Sequence, residues 1–425
     1  MIAQMRRLLV ALSLLLQTVQ LSNGQGLPTA KPEEVGLSTE RLERIRPVME
    51  EYIRQNKVVG CITFLARRGK IVHLETAGQM DREASLPMKV DTIFRLASMT
   101  KPVTAVAAMI LYEEGKFLLS DPVSKYIPEF RDMQVLVPDS SGISHTLVPA
   151  KSEITVRQLL NHTSGLTYGG GNLAQYYRNA GVSSGLRSLN GTIGDMVKKL
   201  AGLPLNHHPG EKWAYGLSQD VLGYLVEVLS GLPMGRFYHE KIFAPLGMHD
   251  TAFYPQKEKA DRFAPPYRFA GDTIKRMSAD MVTGYLDGPG TYFSGGGGLC
   301  STVSDYARFC QMLLNGGELD GIRLLSRATV DLIRTDSTGG IPILTKADNY
   351  RATQGDRYGL GVGIRADIEE MESVGNFGWG GAYHTLAWID PQEDMFGLFM
   401  AQLSGMPDKS QLLKFRIMSY SAIID

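Results

Sequence analysis

The run Phe94-Arg95-Leu96-Ala97-Ser98-Met99-Thr100-Lys101-Pro102-Val103 leads into a nearly unbroken apolar stretch from Thr104 to Leu111. Proline is tolerated in a helix only in the first turn, where its missing N–H has no partner to lose, so Pro102 pins a helix start at or just after Ser98. Val103, Val106, Ala107, Met109 and Ile110 then give that helix an apolar surface with little polar relief, the pattern of a core helix, and Gly115 offers its stop. Ser98 and Lys101, one turn apart, share a face and come within reach of each other. A serine at a buried helix N-terminus has backbone N–H groups around it that lack helical partners and can stabilise an oxyanion. Taken alone, Ser-x-x-Lys is a short pattern, and an ordinary capping serine fits it as well.

Composition sets the frame for that helix. The chain has 425 residues, 44% hydrophobic and 21% charged, with Lys+Arg and Asp+Glu both at 44, which is ample for a large core in one or two interleaved domains. Zero formal net charge gives no drive towards nucleic acid or an anionic membrane. Arg6-Arg7 precede an apolar run from Leu8 to Leu16 that is too short to span a bilayer, and Ser22 and Gly24 follow two apart. Residues 1–24 therefore read as a cleaved signal peptide, placing the mature protein in the periplasm or outside the cell, and no later segment reads as a membrane span. Cys61, Cys300 and Cys310 are odd in number and lie in apolar company, so no disulfide framework is expected.

Ser38-Thr39-Glu40 signals a helix start, followed by Leu42, Ile45, Val48, Met49, Tyr52 and Ile53 at helical spacing, with Pro47 as a kink. Val58 to Ala66 and Ile71 to Ala77 read as strands of a hairpin joined by Arg67-Arg68-Gly69-Lys70. Helical patterns follow at Val156 to Leu160, Gly194 to Leu200 and Gln219 to Leu229. Strand patterns return at Gly359 to Ala366, Thr385 to Ile389 and Met395 to Ala401, and Lys409 to Tyr420 closes as a helix with Leu412, Leu413, Phe415 and Ile417 as its apolar members. The expected fold is α/β in the α+β sense: an antiparallel sheet built from the N- and C-terminal segments, 27–100 and 291–425, with helices around it and a mostly helical domain, 101–290, inserted.

Six ordered segments carry a resemblance. They are Phe94 to Lys101; Leu159-Leu160-Asn161-His162-Thr163-Ser164-Gly165-Leu166; Pro209 to Ser218 with Asp220-Val221-Leu222-Gly223; Pro245-Leu246-Gly247-Met248; Gly295 to Thr302; and Gly378-Trp379-Gly380-Gly381-Ala382 through Trp388-Ile389-Asp390-Pro391. From about Glu33 to its end the chain resembles the serine β-lactamase and penicillin-binding-protein superfamily, in the branch similar to class C β-lactamases that includes the family-eight carboxylesterases. The resemblance implies that Ser98 is the nucleophile of an acyl-enzyme mechanism and that Lys101 and Tyr215 share the acid/base role. It also implies an oxyanion hole from the backbone N–H groups of Ser98 and Ala382. Lysine and tyrosine are poor bases at their ordinary pKa values of about 10, so activation needs burial or a neighbouring charge.

Two departures bear on substrate. Where the lactamases usually read Tyr-x-Asn, Leu217 stands, followed by Ser218; where Lys-Thr-Gly or His-x-Gly is usual, the chain has Trp379-Gly380-Gly381. The cation that would meet a substrate carboxylate is replaced by an indole, as in the esterase branch, unless Arg351 or Arg357 supplies one. His384 is a further candidate near the acyl pocket, with a sheet-facing role as its alternative.

The expected function is a serine carboxylesterase acting on short-chain or bulky esters. The alternatives are a β-lactamase or D-Ala-D-Ala carboxypeptidase, or a penicillin-binding-like module without turnover. Gly181-Val182-Ser183-Ser184-Gly185 matches Gly-x-Ser-x-Gly but has no strand before it, and the eight histidines form no metal pattern. No cofactor or metal is implied; the partner is a small-molecule ester or amide, and the sequence does not give the oligomeric state.

Overall fold

The structure, a computed structural model, describes residues 26–139, 144–182, 186, 190–278, 281, 284–343, 357–367 and 371–425. The signal-peptide reading of residues 1–24, the serines and second glycine of the Gly181–Gly185 match, and Arg351 lie outside the described residues.

β-Branched and aromatic residues on either side of a tight turn build the first hairpin. Strands β1 (Gly60–Arg67) and β2 (Lys70–Asp81) meet at Arg68 and Gly69, whose φ angles of 53° and 73° suit the turn that a twisted hairpin favours. They join β3 (Leu86–Pro87) and five strands from the far end of the chain: β4 (Arg357–Tyr358), β5 (Gly363–Ile364), β6 (Phe377–Gly381), β7 (Thr385–Asp390) and β8 (Met395–Met400). The order across this antiparallel sheet is β4-β5-β6-β7-β8-β1-β2-β3, so β1 pairs with β8 and sews the two ends of the chain together.

Because successive strand residues face opposite sides, the sheet separates two cores. Cys61, Leu65, Trp388, Met395 and Phe399 pack against helices α1 (Ile45–Arg54) and α5 (Ser410–Ser421). Ile62, Phe64, Ala66, Phe396, Leu398 and Met400 face the larger core, which contains α2 (Thr100–Glu113), α3 (Ser218–Ser230) and α4 (Val303–Leu314). The helix after Ser98 is buried all round, with every residue from Thr100 to Leu111 inside the core. All three cysteines are buried and free. Among the described residues no helix is long and apolar enough to cross a membrane.

Several expectations need correction. The chain breaks at Glu43-Arg44, and Pro47 sits in the first turn of α1 without kinking it, because its ring excludes the carbonyl four residues back. The middle of the chain holds two hairpins besides its helices, Gln134–Pro138 with His145–Pro149 and Tyr267–Ala270 with Thr273–Arg276. The expected strand from Gly359 to Ala366 is split by Gly361, whose φ of 82° turns the chain against Ala105 of α2, where a Cβ would come within 2.5 Å. On α5, Leu412 and Phe415 are buried but Ile417 is exposed, and Gln411, Arg416, Ser419 and Tyr420 fill the inner face.

His73 and His384 are buried, and burial lowers each pKa to about 4. The unfolded chain takes up their protons near the ordinary value of about 6.5 while the folded chain does not, so the stability they contribute is full above that pH and is lost as pH falls towards 4. Urea unfolding at pH 7 and pH 5 should show a loss of about 2 kcal/mol from each at the lower pH. The His73→Gln variant should lose less over the interval; an equal loss would mean that His73 is protonated in the fold.

Candidate active site

The turn carrying Ser98 is held from three sides. Residues Ala97–Met99 form a single 3-10 turn that runs into α2, and Ala97 has a φ of 46°, an uncommon conformation for a residue with a Cβ. Leu96 N–H donates to the Leu299 carbonyl at 2.9 Å, Tyr306 Oη donates to the Met99 carbonyl at 2.9 Å, and Thr385 Oγ1 donates to the Leu96 carbonyl at 3.0 Å. The end of β6 presses on the same carbonyl: a Cβ on Gly381 would lie 2.2 Å from Leu96 O, so only glycine lets the strand come this close. Ala382, exposed, follows directly.

Lys101 is completely buried, and its ammonium makes three bonds. Nζ donates to Ser98 Oγ at 3.0 Å, to Tyr168 Oη at 3.1 Å and to the Gly296 carbonyl at 2.6 Å, which uses all three of its N–H groups. The Tyr215 ring lies 4.6 Å from the same nitrogen. Burial pushes the Lys101 ammonium down, but Tyr168, Tyr215 and Asp220 outweigh it and hold the group above the ordinary lysine value. At neutral pH the lysine is therefore a charged donor.

Tyr215 belongs to an aromatic cluster. Its oxygen accepts the indole N–H of Trp379 at 2.9 Å, and its ring packs against Trp213, Tyr168 and His162. Trp379 is buried behind Tyr215 and meets Tyr358 edge-on at 5.0 Å. His162, at a φ of 59°, is buried with neither ring nitrogen bonded, and burial pushes it well below the ordinary histidine value, so a neutral ring supports Tyr215.

The structure thus brings Ser98, Lys101, Tyr215, Trp379 and the Gly380-Gly381-Ala382 strand end together. Leu217 is buried at the start of α3. His384 is buried in the β6–β7 turn, where Nδ1 bonds the Leu403 carbonyl at 2.9 Å and Nε2 has no partner. Arg357 faces Asp336 at 3.9 Å. Sequence reasoning missed Tyr168, Gly296 and any part for Asp220. Tyr168 follows the Asn161–Gly165 motif closely, and Asp220 is the lone carboxylate on the inner face of an apolar helix; either was a usable signal.

A cationic donor on a serine, with a phenol beside it and a close strand end, can perform acyl transfer through that serine. Protein Rv1367c of Mycobacterium tuberculosis is 35% identical over 358 residues, covering 81% of this chain and 85% of its own length. Esterase EstB of Burkholderia gladioli is 31% identical over 372 residues, covering 82% and 86%. Among solved structures, EstCE1, described as a hydrolase with promiscuous acyltransferase activity, matches with a TM-score of 0.76 at 25% identity over 91% of this chain and 99% of that one. The Beta-lactamase family model matches residues 45–420, and this chain belongs to that family of serine hydrolases.

Proposed function

We propose that the protein is a carboxylesterase that forms an acyl-enzyme on Ser98. The observation that carries this reading is the buried Lys101 ammonium, 3.0 Å from Ser98 Oγ and faced by Tyr215, with an indole at position 379 where a carboxylate-binding cation would stand.

In the form of the enzyme in which the Lys101–Tyr215 pair has already given up one proton, Ser98 Oγ attacks the ester carbonyl carbon and its proton passes to the pair. The carbonyl π electrons move to oxygen, which the N–H groups of Ser98 and Ala382 receive. Collapse of this intermediate breaks the bond to the alcohol oxygen, which takes the proton back from the pair and leaves. Water then adds to the acyl-enzyme by the same path, its proton going to the pair, and Ser98 departs and is reprotonated. The ammonium stabilises the negative charge that develops on Oγ as the serine loses its proton and again as it departs, while Trp379 fixes the Tyr215 oxygen.

Beside β6 a lactam carboxylate would meet the glycine strand end and no cation from position 379, where the Trp379 indole is buried behind Tyr215. Burying an unpaired charge there costs several kcal/mol, a penalty that a neutral ester avoids. Nitrophenyl butyrate should therefore be hydrolysed at least about 100-fold more efficiently in kcat/KM than penicillin G, a gap of roughly 3 kcal/mol. Equal efficiency would give first place to the β-lactamase or peptidase reading, and no acyl adduct with either compound by intact mass would favour a binding module without turnover.

A further inference from the structure

Behind Lys101, away from Ser98, lies a buried polar relay that the reaction above does not use. Asp220, on the first turn of α3, is completely buried in an otherwise apolar setting. Its Oδ1 accepts from Ser294 Oγ at 2.5 Å and from Gly296 N–H at 3.2 Å, and its Oδ2 has no hydrogen-bond partner. The peptide unit that begins at Gly296 then presents its carbonyl to Lys101 Nζ at 2.6 Å. One residue earlier, the Gly295 carbonyl accepts from Thr104 Oγ1 at 2.7 Å, and Thr104 in turn accepts from Tyr238 Oη at 2.8 Å.

The glycines make this closeness possible. A Cβ on Gly296 would lie 2.4 Å from Asp220 Oδ2, and one on Gly295 would lie 2.4 Å from the Gln219 carbonyl. The loop is therefore pressed on α3 with the carboxylate against its backbone. An isolated carboxylate in such a place is strongly unfavourable unless a cation is close, and the buried cation of this region is Lys101.

We propose that Asp220 is the buried counter-charge of Lys101, a positioning residue that grips the Ser294–Gly296 loop and keeps the lysine an ammonium pointed at Ser98. The groups that act electrostatically on Lys101 are Tyr168, Tyr215 and Asp220, with the neutral His162 near it; those coupled to Asp220 are Ser294, Lys101, Tyr168, Tyr238 and Tyr292. Burial holds the Asp220 carboxyl above the ordinary carboxylate value, and Ser294, the Lys101 charge and the Gly296 N–H, which pull it down, offset this only in part. Asp220 is the carboxylate in this set and Lys101 the ammonium; the others are phenols, a hydroxyl and a neutral imidazole.

The proposal rests on the ammonium role given to Lys101 above, and its test separates the two. In protein labelled with 13C at lysine Cε, the Lys101 resonance is assigned by its loss in Lys101→Arg and titrated by NMR. Asp220→Asn keeps an oxygen that can accept from Ser294 and Gly296 but removes the charge. The proton affinity of Lys101 should fall at least tenfold in Asp220→Asn and stay unchanged in Ser294→Ala, which removes a hydrogen bond and keeps the charge. Coincident titrations of wild type and Asp220→Asn overturn the proposal. Should Asp220→Asn fail to fold, wild type alone decides, because a Lys101 that titrates at or below the ordinary value of about 10.4 overturns it equally. In ester hydrolysis the alkaline limb of kcat/KM should move to lower pH in Asp220→Asn. A moved resonance with an unmoved limb upholds the counter-charge and removes the ammonium from the reaction.

Discussion

Ser98→Ala should lower ester turnover on the order of 10^5-fold, because it removes the attacking oxygen itself. The residual rate would come from the strand end and the ammonium acting on bound ester and water. Folding should be almost unaffected: the variant loses one hydroxyl at a helix start and leaves Lys101 with two of its three acceptors, a cost of about 1 kcal/mol. Two measurements check this, the steady-state rate with nitrophenyl butyrate and intact mass after brief exposure to the ester. Wild type should gain one acyl group and the variant none. Turnover near the wild-type level, or an adduct that persists in the variant, would put the nucleophile elsewhere.

Local chemistry explains why much of the fold could be read in advance. Pro102 marks the start of α2 because proline has one place in a helix, and Arg68-Gly69 mark the first hairpin because few residues adopt positive φ there. The strands β7 and β8 follow from short, nearly continuous apolar runs on either side of Asp390–Asp394, the pattern of strands buried on both faces. What escaped depends on contacts distant in sequence. Gly361 breaks a strand-like run because the turn packs on Ala105, and Ile417 faces outward because Arg416 and Tyr420 are taken up by buried polar partners.

The same division holds at the site. Ser98 and Lys101 meet through spacing within one helix, which a sequence displays. Tyr168 reaches Lys101 across 67 positions and Gly296 reaches it across 195, distances that no local pattern encodes. Trp379 marks a departure from the usual third motif, but only packing shows that its N–H serves Tyr215 and that its ring is buried.

Two phenols touch the Lys101 environment, and they should differ sharply when removed. Tyr215 Oη is fixed by the Trp379 N–H and belongs to the aromatic cluster around neutral His162, whereas Tyr168 is partly exposed and its hydroxyl accepts from Lys101. Tyr215→Phe should therefore cost about 10^3-fold to 10^4-fold in kcat, the scale of a lost acid/base group, and Tyr168→Phe about tenfold. Lys101→Ala should cost as much as Tyr215→Phe, since it removes the ammonium that donates to Ser98 Oγ and orients the serine. The double variant Lys101→Ala/Tyr215→Phe should be little worse than the weaker single variant, because two groups that pass one proton fail together. Multiplicative losses would show two independent contributions, and a Tyr168→Phe variant slower than Tyr215→Phe would transfer the proton-accepting role to Tyr168.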